Sequence, residues 1–211
     1  KWSLLNPDGN KTWKETTSLV GNGISKASAT ISYFTYSSIG EKDALVSPVI
    51  DLTGVIDATL DFDLGYSRFG SYVDTLAIYI STDCGNTYDP VPVYIKYGVS
   101  LETAGGSGSF TPNTYTQWRK ESVDLSGYIG DQVVFKIQGT CGYGNNLFID
   151  NINIFSSDLL PIVEFCASDT LITCDATSTV VKLTDVSMNN PASWSWSFSP
   201  NTVSFVNGTN A

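Results

Sequence analysis

Apolar and polar residues alternate with a period of two in several short runs of this chain. The apolar positions are Leu60, Phe62, Leu64 and Tyr66 in the first run, Leu76, Ile78 and Ile80 in the second, Val91, Val93 and Ile95 in the third, and Val133, Phe135 and Ile137 in the fourth. Side chains of a strand point alternately to its two faces, so the pattern predicts β-strands that each bury one face.

Turn-forming residues separate these runs, and no stretch has a convincing helical period. The turn signals are Gly21-Asn-Gly, Cys84-Gly-Asn, Gly127-Tyr-Ile-Gly and Gly142-Tyr-Gly-Asn-Asn. Many short strands joined by turns and long crossovers are typical of a sandwich. We therefore predict an all-β chain that begins with a jelly-roll β-sandwich.

The strand predicted after Gly142 carries a carboxyl group on an apolar face. Strict alternation places Asp150 on the same face as Phe148, Ile152 and Ile154. A buried carboxylate is costly, so Asp150 must be protonated, paired or bound to a cation.

A boundary is predicted at Ser156-Ser-Asp-Leu-Leu-Pro161, where the pattern changes. The first unit is then residues 1–156 and the second is residues 157–211. The second unit carries a new set of β-type runs that ends in Trp194-Ser-Trp-Ser-Phe198. It has only about fifty residues, which is near the lower limit for an independent core.

Composition narrows the classes of function. The chain has 211 residues, 42% of them hydrophobic and only 15% charged, with a formal net charge of −10. An acidic chain disfavours nucleic acid and attracts divalent cations. The absence of histidine excludes a Ser-His-Asp triad and a His-ligated zinc. Paired carboxylates remain as a catalytic possibility, but none falls in a recognisable motif, so we predict that the chain is not an enzyme.

Four cysteines, Cys84, Cys141, Cys166 and Cys174, fit no CxxC metal motif. An even count in a chain rich in Ser, Thr and Asn favours disulfides and an oxidising compartment. Cys166 and Cys174 could join neighbouring strands, and Cys84 and Cys141 could pair if their turns share one end of the sandwich. Four free thiols remain the alternative. The chain starts without an initiator Met, has no signal peptide and no apolar run long enough to span a membrane, and ends mid-pattern in Asn207-Gly-Thr-Asn-Ala211. We therefore expect a secreted or cell-surface fragment of a larger protein.

The first unit resembles the MAM-like jelly rolls of secreted bacterial proteins, close to the cleaved-adhesin domains of gingipain-type proteases and to choice-of-anchor modules. The resemblance covers residues 1–156 and depends on several motifs in order. They are Trp2-Ser, Asp8-Gly-Asn-Lys-Thr-Trp13, Asp43-Ala-Leu-Val-Ser-Pro-Val-Ile-Asp-Leu52, Asp74-Thr-Leu-Ala-Ile-Tyr-Ile-Ser-Thr-Asp-Cys-Gly85, Trp118 with Val123-Asp-Leu-Ser126, and Gly144-Asn-Asn-Leu-Phe-Ile-Asp-Asn-Ile152.

The second unit resembles the opening half of a PKD domain, which is an immunoglobulin-like β-sandwich. The matching segments are Pro161-Ile-Val-Glu-Phe165, Leu183-Thr-Asp-Val-Ser187 and Trp194-Ser-Trp-Ser-Phe198. Such modules belong to large secreted or surface proteins of the Bacteroidetes type, often metalloproteases or adhesins, so the resemblance implies that setting.

The same resemblance implies structural calcium between the N-terminal loop and the closing strand. Asp8 and Asp150 match by position, and Asn6 and Asn10 could complete the shell with backbone carbonyls. Asp43 could be a further ligand or a turn residue. Calcium takes six to eight such oxygens. The alternatives are an Asx turn at Asp8 and backbone hydrogen bonds to Asp150.

Exposed aromatic rings could form a saccharide site. The candidates are Tyr66 and Tyr72, near Gly65 and Gly70, and Phe110 and Tyr115, in the long loop from Leu101 to Trp118. Ordinary loop packing is the alternative for all four.

These observations predict a non-catalytic accessory module of a secreted multidomain protein, serving adhesion or substrate targeting with structural calcium. Its partners would be a glycan or an extracellular or host surface protein, together with other domains of the parent chain. The alternatives are a carbohydrate-binding module and a purely structural spacer.

Overall fold

The computed structural model describes residues 1–17, 27–158, 163–168, 181–188, 193 and 195–197. The chain divides into two compact units, Lys1–Asp158 and Leu159–Ala211. The division falls two residues beyond the predicted boundary.

The first unit is built from β-strands, which confirms the predicted all-β class. Its strands are β1 (Ser3–Leu5), β2 (Lys14–Thr16), β3 (Ser28–Ser32), β4 (Lys42–Val46), β5 (Ile50–Asp51), β6 (Val55–Tyr66), β7 (Thr75–Ser81), β8 (Tyr94–Tyr97), β9 (Trp118–Asp124), β10 (Gln132–Thr140) and β11 (Asn146–Asp158). Short 3₁₀ helices lie at Tyr33–Thr35, Gly98–Ser100, Tyr115–Gln117 and Ser126–Tyr128. Within the described part of the chain, no helix has the length and apolar character needed to cross a membrane.

Two antiparallel sheets make up the first unit. One has the order β1-β4-β10-β7-β8, with β5 also paired to β10, and the other has the order β2-β3-β11-β6-β9. Strands that are neighbours in a sheet are mostly distant in sequence, so the chain crosses repeatedly between the sheets. This is the connectivity expected of a jelly roll.

The main core combines apolar side chains from both sheets, and three of the four alternating runs supply it. Those runs lie in β6, β7 and β10. Their buried residues are Leu60, Phe62, Leu64 and Tyr66, then Leu76, Ile78 and Ile80, then Val133, Phe135 and Ile137. Each is at most 1% exposed, so alternation identified the buried faces of these strands correctly.

The third run is different. Its strand β8 begins only at Tyr94, while Val91 is 74% exposed and Ile95 is 51% exposed. Pro92 has no backbone N–H to donate to a ladder, which favours a strand that begins after it. Val93 and Tyr94 pack against the core instead.

β11 departs from strict alternation. Its register with β6 shifts between Asp150 and Asn153, and Asn151 has a positive φ of 48°. Ile149 lies opposite Leu64, and Ile154 lies opposite Leu60, so the strand turns apolar side chains to the core on both sides of the irregularity. The irregularity shifts the alternation, as β-bulges do. Asp150 therefore lies on the opposite face from Ile154, which corrects its predicted face. At 9% exposed it is nevertheless buried, as the sequence predicted.

The long loop between β8 and β9 packs on the outer face of the second sheet. Phe110 and Phe148 form a small satellite cluster with Trp118 against them. Asn145, which is fully buried, accepts a hydrogen bond from the Phe110 amide (2.8 Å) and donates one to the Gly108 carbonyl (2.9 Å). The loop thus covers part of that outer face.

Cys84 and Cys141 are free cysteines. In the antiparallel pair of β7 and β10, Ser81 lies opposite Val134, and Thr75 lies opposite Thr140. Cys84 follows β7 and Cys141 follows β10, so the two lie at opposite ends of this strand pair. Their pairing required that the two turns share one end of the sandwich, and the structure does not place them so. Cys166 is also free, and Cys174 lies outside the described residues.

In the second unit the described residues form a two-stranded antiparallel sheet of β12 (Phe165–Ala167) and β13 (Leu183–Asp185). The Phe165 and Trp196 rings meet edge to face at 5.4 Å. Trp194 and Phe198 lie outside the described residues. The identity of this unit as part of a PKD domain stays a prediction.

Candidate functional site

The N-terminal loop before β2 is closed by its own polar groups. The Asn10 amide donates to Asp8 Oδ1 (3.0 Å), which forms the Asx turn given above as the alternative to a calcium ligand. Asn6 Nδ2 donates to the Asn10 carbonyl (3.1 Å), and the Gly9 amide donates to the Asn6 carbonyl (3.3 Å). The other Asp8 oxygen accepts the Tyr36 hydroxyl, and these bonds hold the pKa of Asp8 below its usual value.

Asp43, in β4, is a buried carboxyl group beside this loop. It is 1% exposed, and neither carboxyl oxygen has a hydrogen-bond partner. Trp13 Nε1 donates to its backbone carbonyl (3.1 Å). Burial raises the pKa of Asp43 to about 6; the nearby Thr12 hydroxyl lowers it, although without full hydrogen-bond geometry, and the charges of Asp8 and Glu41 raise it further.

Further buried oxygens around the loop lack partners: Asn6 Oδ1, Thr12 Oγ1 and the Tyr33 hydroxyl. Unpaired buried oxygens are costly and require an explanation, such as a bound ion. Among the described residues no group of three or more acidic, histidine or cysteine side chains could hold a metal. A cation here would therefore bind one carboxylate with amide, hydroxyl and carbonyl oxygens.

Asp150 lies elsewhere. It faces Asp63 of β6 across the sheet and accepts a hydrogen bond from the Asn151 amide (2.8 Å). It also lines a groove of about 480 Å³ with Trp2 and Trp13. Asn6, Asp8, Asn10 and Asp43 are not in the lining of that groove. The structure thus brings together the three loop residues and Asp43, and it places Asp150 on the outer face of the second sheet.

The four predicted ligand-binding aromatics differ in placement. Tyr66 is fully buried, and its hydroxyl donates to Asp74 Oδ2 (2.9 Å). Phe110 is 7% exposed and meets Phe148 at 6.0 Å. Neither ring can stack on a ligand in these positions. Tyr72 is 39% exposed and Tyr115 is 80% exposed, so both are accessible.

Tyr72 belongs to a group of four aromatic side chains, here called the aromatic row: Phe34, Phe69, Tyr72 and Tyr143. Phe34 meets Phe69 edge to face (5.0 Å), Phe69 stacks on Tyr72 (6.2 Å, 6° between planes), and Tyr72 meets Tyr143 edge to face (5.1 Å). The four residues come from three loops at one end of the sandwich. Phe34 and Tyr143 could not be predicted as site residues from the sequence, because their contacts with Phe69 and Tyr72 join loops that are far apart along the chain.

A buried carboxylate fixes the loop that carries Tyr143. Asp74 accepts hydrogen bonds from the amides of Gly142 (2.7 Å), Gly144 (3.1 Å) and Asn145 (2.7 Å), besides the Tyr66 hydroxyl. Tyr143 itself has a positive φ of 61°, which is uncommon for a bulky residue. The loop geometry is therefore determined by Asp74.

Other acidic side chains also have structural partners. Glu121, 6% exposed, pairs with Lys96 and Arg119 (2.6 Å each), and Asp61 pairs with Lys120 (2.6 Å). Asp83 accepts hydrogen bonds from Ser81 and Thr87, which lower the pKa of its carboxyl group to about 2. These groups stabilise turns and strand contacts.

No protein-family model and no curated protein matches this chain. Among solved structures it is similar to two cleaved adhesin domains of the Lys-gingipain of Porphyromonas gingivalis. One is 17% identical with a TM-score of 0.53, covering 74% of this chain and 90% of that domain. The other is 15% identical with a TM-score of 0.51, covering 73% and 90%. At this identity the likeness establishes the jelly-roll fold of the first unit.

A family 11 carbohydrate-binding module from Clostridium thermocellum, solved with a mixed-linked tetrasaccharide, is more distant. It is 12% identical with a TM-score of 0.44, covering 74% of this chain and 89% of that one.

Proposed function

We propose that this chain is a non-catalytic binding module of a secreted or cell-surface protein, and that the aromatic row contacts its ligand. The observation that carries the proposal is the row itself. Three loops place four rings in contact at one end of the sandwich, with Tyr72 accessible to solvent. Loops positioned by a rigid scaffold are where binding residues concentrate.

The proposed ligand is an uncharged saccharide. Tyrosine offers a flat apolar ring with a hydroxyl at its edge, and this combination suits a pyranose that has an apolar face and polar substituents. Tyr72 and Tyr143 supply two such rings in edge-to-face contact. The net charge of −10 disfavours polyanionic glycans such as sulfated polymers.

The proposed biological role is adhesion or substrate targeting within a larger secreted or cell-surface protein. The fold shared with cleaved adhesin domains supports this setting. A purely structural spacer remains the competing proposal, and it differs by having no ligand.

The test is binding of the full chain to an array of neutral, acidic and sulfated glycans, alongside matrix proteins. We expect saturable binding to a neutral glycan, lost in Tyr72→Ala and retained in Tyr115→Ala, which changes a more exposed ring outside the row. Binding to matrix proteins alone would refute the saccharide, and silence on every surface from a folded chain would favour the spacer.

We also propose that the N-terminal loop and Asp43 hold a structural calcium ion. The unpartnered oxygens of Asp43, Asn6 and Thr12 support it, because calcium accepts carboxylate, amide and hydroxyl oxygens together. Asp8 and Asn10 contribute by shaping the loop, and the loop carbonyls complete the shell. Asp150, on the outer face of the other sheet, is not included in this set.

A further inference from the structure

We propose that calcium at the N-terminal loop controls the ligand affinity of the aromatic row, through the turn that carries Phe34. This inference rests on the proposed function, since it concerns the regulation of that same site. Such control requires a continuous set of contacts from the N-terminal loop to the aromatic row. The structure contains two such sets of contacts.

The first contact set runs from the loop to the turn at Tyr33–Tyr36. The Tyr36 hydroxyl donates to Asp8, and Lys11 Nζ donates to both the carbonyl and the hydroxyl of Thr35. Lys11 also lies 5.9 Å from the centre of the Tyr36 ring. The loop that would hold the ion therefore contacts the turn through Asp8 and Lys11 on its own side, and through Tyr36 and Thr35 on the side of the turn.

The turn then reaches the aromatic row directly. The Tyr36 amide bonds to the Tyr33 carbonyl (2.9 Å), and the rings of Tyr33 and Tyr36 stack at 6.4 Å. Phe34 lies between them in sequence and packs on Phe69, which stacks on Tyr72. A displacement of this turn would remove one end of the row.

A second contact set reaches the other end of the row. Cys141 Sγ donates to the Tyr36 carbonyl (3.2 Å) and accepts from the Tyr143 amide (3.4 Å). The Gly40 amide bonds to the Cys141 carbonyl (2.8 Å). Tyr36 is thus linked to both Phe34 and Tyr143, so one residue connects the loop with both ends of the row.

The physical consequence is a reciprocal coupling. With calcium bound, the loop is fixed, and the ligand does not have to order the turn when it binds. Thermodynamic linkage then requires the ligand to raise the affinity for calcium by the same factor, and couplings of this kind are about 5-fold or more.

The test is amide hydrogen exchange of the full chain with calcium and with chelator, which needs no saccharide. We expect calcium to slow exchange about 5-fold or more in residues 6–12, 33–36, 66–73 and 141–145. Tyr36→Phe removes the hydroxyl that bonds Asp8 but keeps the ring. In this variant calcium should still protect residues 6–12, but its protection of residues 66–73 should fall, because only the contacts of Lys11 still join the loop to the turn. Tyr97→Phe, an exposed tyrosine in β8, is the matched control and should behave as the wild type.

Protection confined to residues 6–12 and 42–46 in the wild type would overturn the coupling while leaving the calcium site in place. Exchange that calcium leaves unchanged in every segment would overturn the coupling, because it would show that no ion binds at the loop. Failure of the saccharide proposal is detected separately by the glycan array, since the exchange experiment contains no ligand.

Discussion

At the scale of single residues, Asp43 is the group whose environment is hardest to explain without a partner. It is buried beside Thr12, and both carboxyl oxygens lack hydrogen bonds. Asp74 is buried as deeply but accepts four hydrogen bonds. The Asp74 carboxylate is thus fully hydrogen-bonded within the fold, whereas the oxygens of Asp43 remain free to bind a cation.

Replacing Asp43 by Asn should abolish the stabilisation by calcium. At about 100 times Kd, an ion that binds only the folded state adds about 2.7 kcal/mol, which raises Tm of the wild type by roughly 5–10 °C. Thermal unfolding with calcium and with chelator measures this shift. Asp43→Asn should show none, and in chelator it should be at least as stable as the wild type, because a buried charge has gone. Asp51→Asn, an exposed carboxyl group, is the control and should keep the shift. An undiminished shift in Asp43→Asn would remove Asp43 from the site.

The pH dependence of stability follows from the same group. The pKa of Asp43 is about 6 in the folded chain against an ordinary value of 3.8. Between these values the folded state binds more protons than the unfolded state, so this contribution to stability without calcium falls as pH rises through that window. Calcium requires the carboxylate, so its stabilising effect should grow over the same window. Unfolding in urea at several pH values, with and without calcium, tests this, and an effect of calcium that is constant from pH 4 to pH 7 would contradict it.

At this scale, the burial of a residue could be predicted from the sequence where it depended on alternation within one strand. Tyr66 illustrates both outcomes, because alternation with Leu60, Phe62 and Leu64 correctly predicted a buried ring, while its position near Gly65 suggested a surface ring. The periodicity prevailed because β6 continues through Tyr66. Phe34 and Tyr143 could not be found from sequence, since their contacts with Phe69 and Tyr72 join loops that are far apart along the chain.

At the scale of elements, the turn between β10 and β11 is held by the side chain of Asp74, the residue just before β7. Asp74→Asn should cost at least about 2 kcal/mol, because the amide that replaces one carboxylate oxygen is a donor facing backbone donors. Urea unfolding measures the loss. Asp83→Asn provides the comparison: its carboxyl group also organises a turn, but it is exposed and water can replace it. Equal losses in the two variants would show that burial of Asp74 has no special weight.

The edges of the two sheets meet at β8 and β9, where Glu121 of one sheet pairs with Lys96 of the other. Glu121→Gln should cost about 1–3 kcal/mol, since a buried charged partner is lost. Glu102→Gln, which breaks the more exposed pair with Arg68, should cost less than about 1 kcal/mol. Chemical denaturation of both variants decides the point, and a larger loss at Glu102 would reverse this ranking.

β11 shows why a strand can be found from sequence while its faces are assigned wrongly. The apolar residues around Asp150 predicted the strand correctly. The shift of register near Asn151 reverses the alternation, and nothing in the side-chain pattern marks the residue where it occurs. Asp150 therefore faces Asp63 on the outside of the sheet, whereas strict alternation had placed it with Ile154.

At the scale of the whole molecule, the first unit is a jelly roll with its proposed activity at one end. The N-terminal loop, the turn of Phe34 and the two loops with Tyr72 and Tyr143 are in contact there, while the loop at Phe110 covers part of one outer face. The fold class followed from periodicity and turn signals alone. The site did not, because it is assembled from loops that only the tertiary fold brings together.

The most direct measurement is a titration of the chain, carrying ¹³C-labelled tyrosine, with the neutral glycan that binds best on the array, followed by NMR of the ring signals in the presence of calcium. The account predicts that the signals of Tyr72 and Tyr143 shift together and saturate, while those of Tyr115 and Tyr97 stay in place. Shifts confined to Tyr115, or no shift in any ring of a chain that binds the glycan, would place the binding site outside the aromatic row and contradict the account.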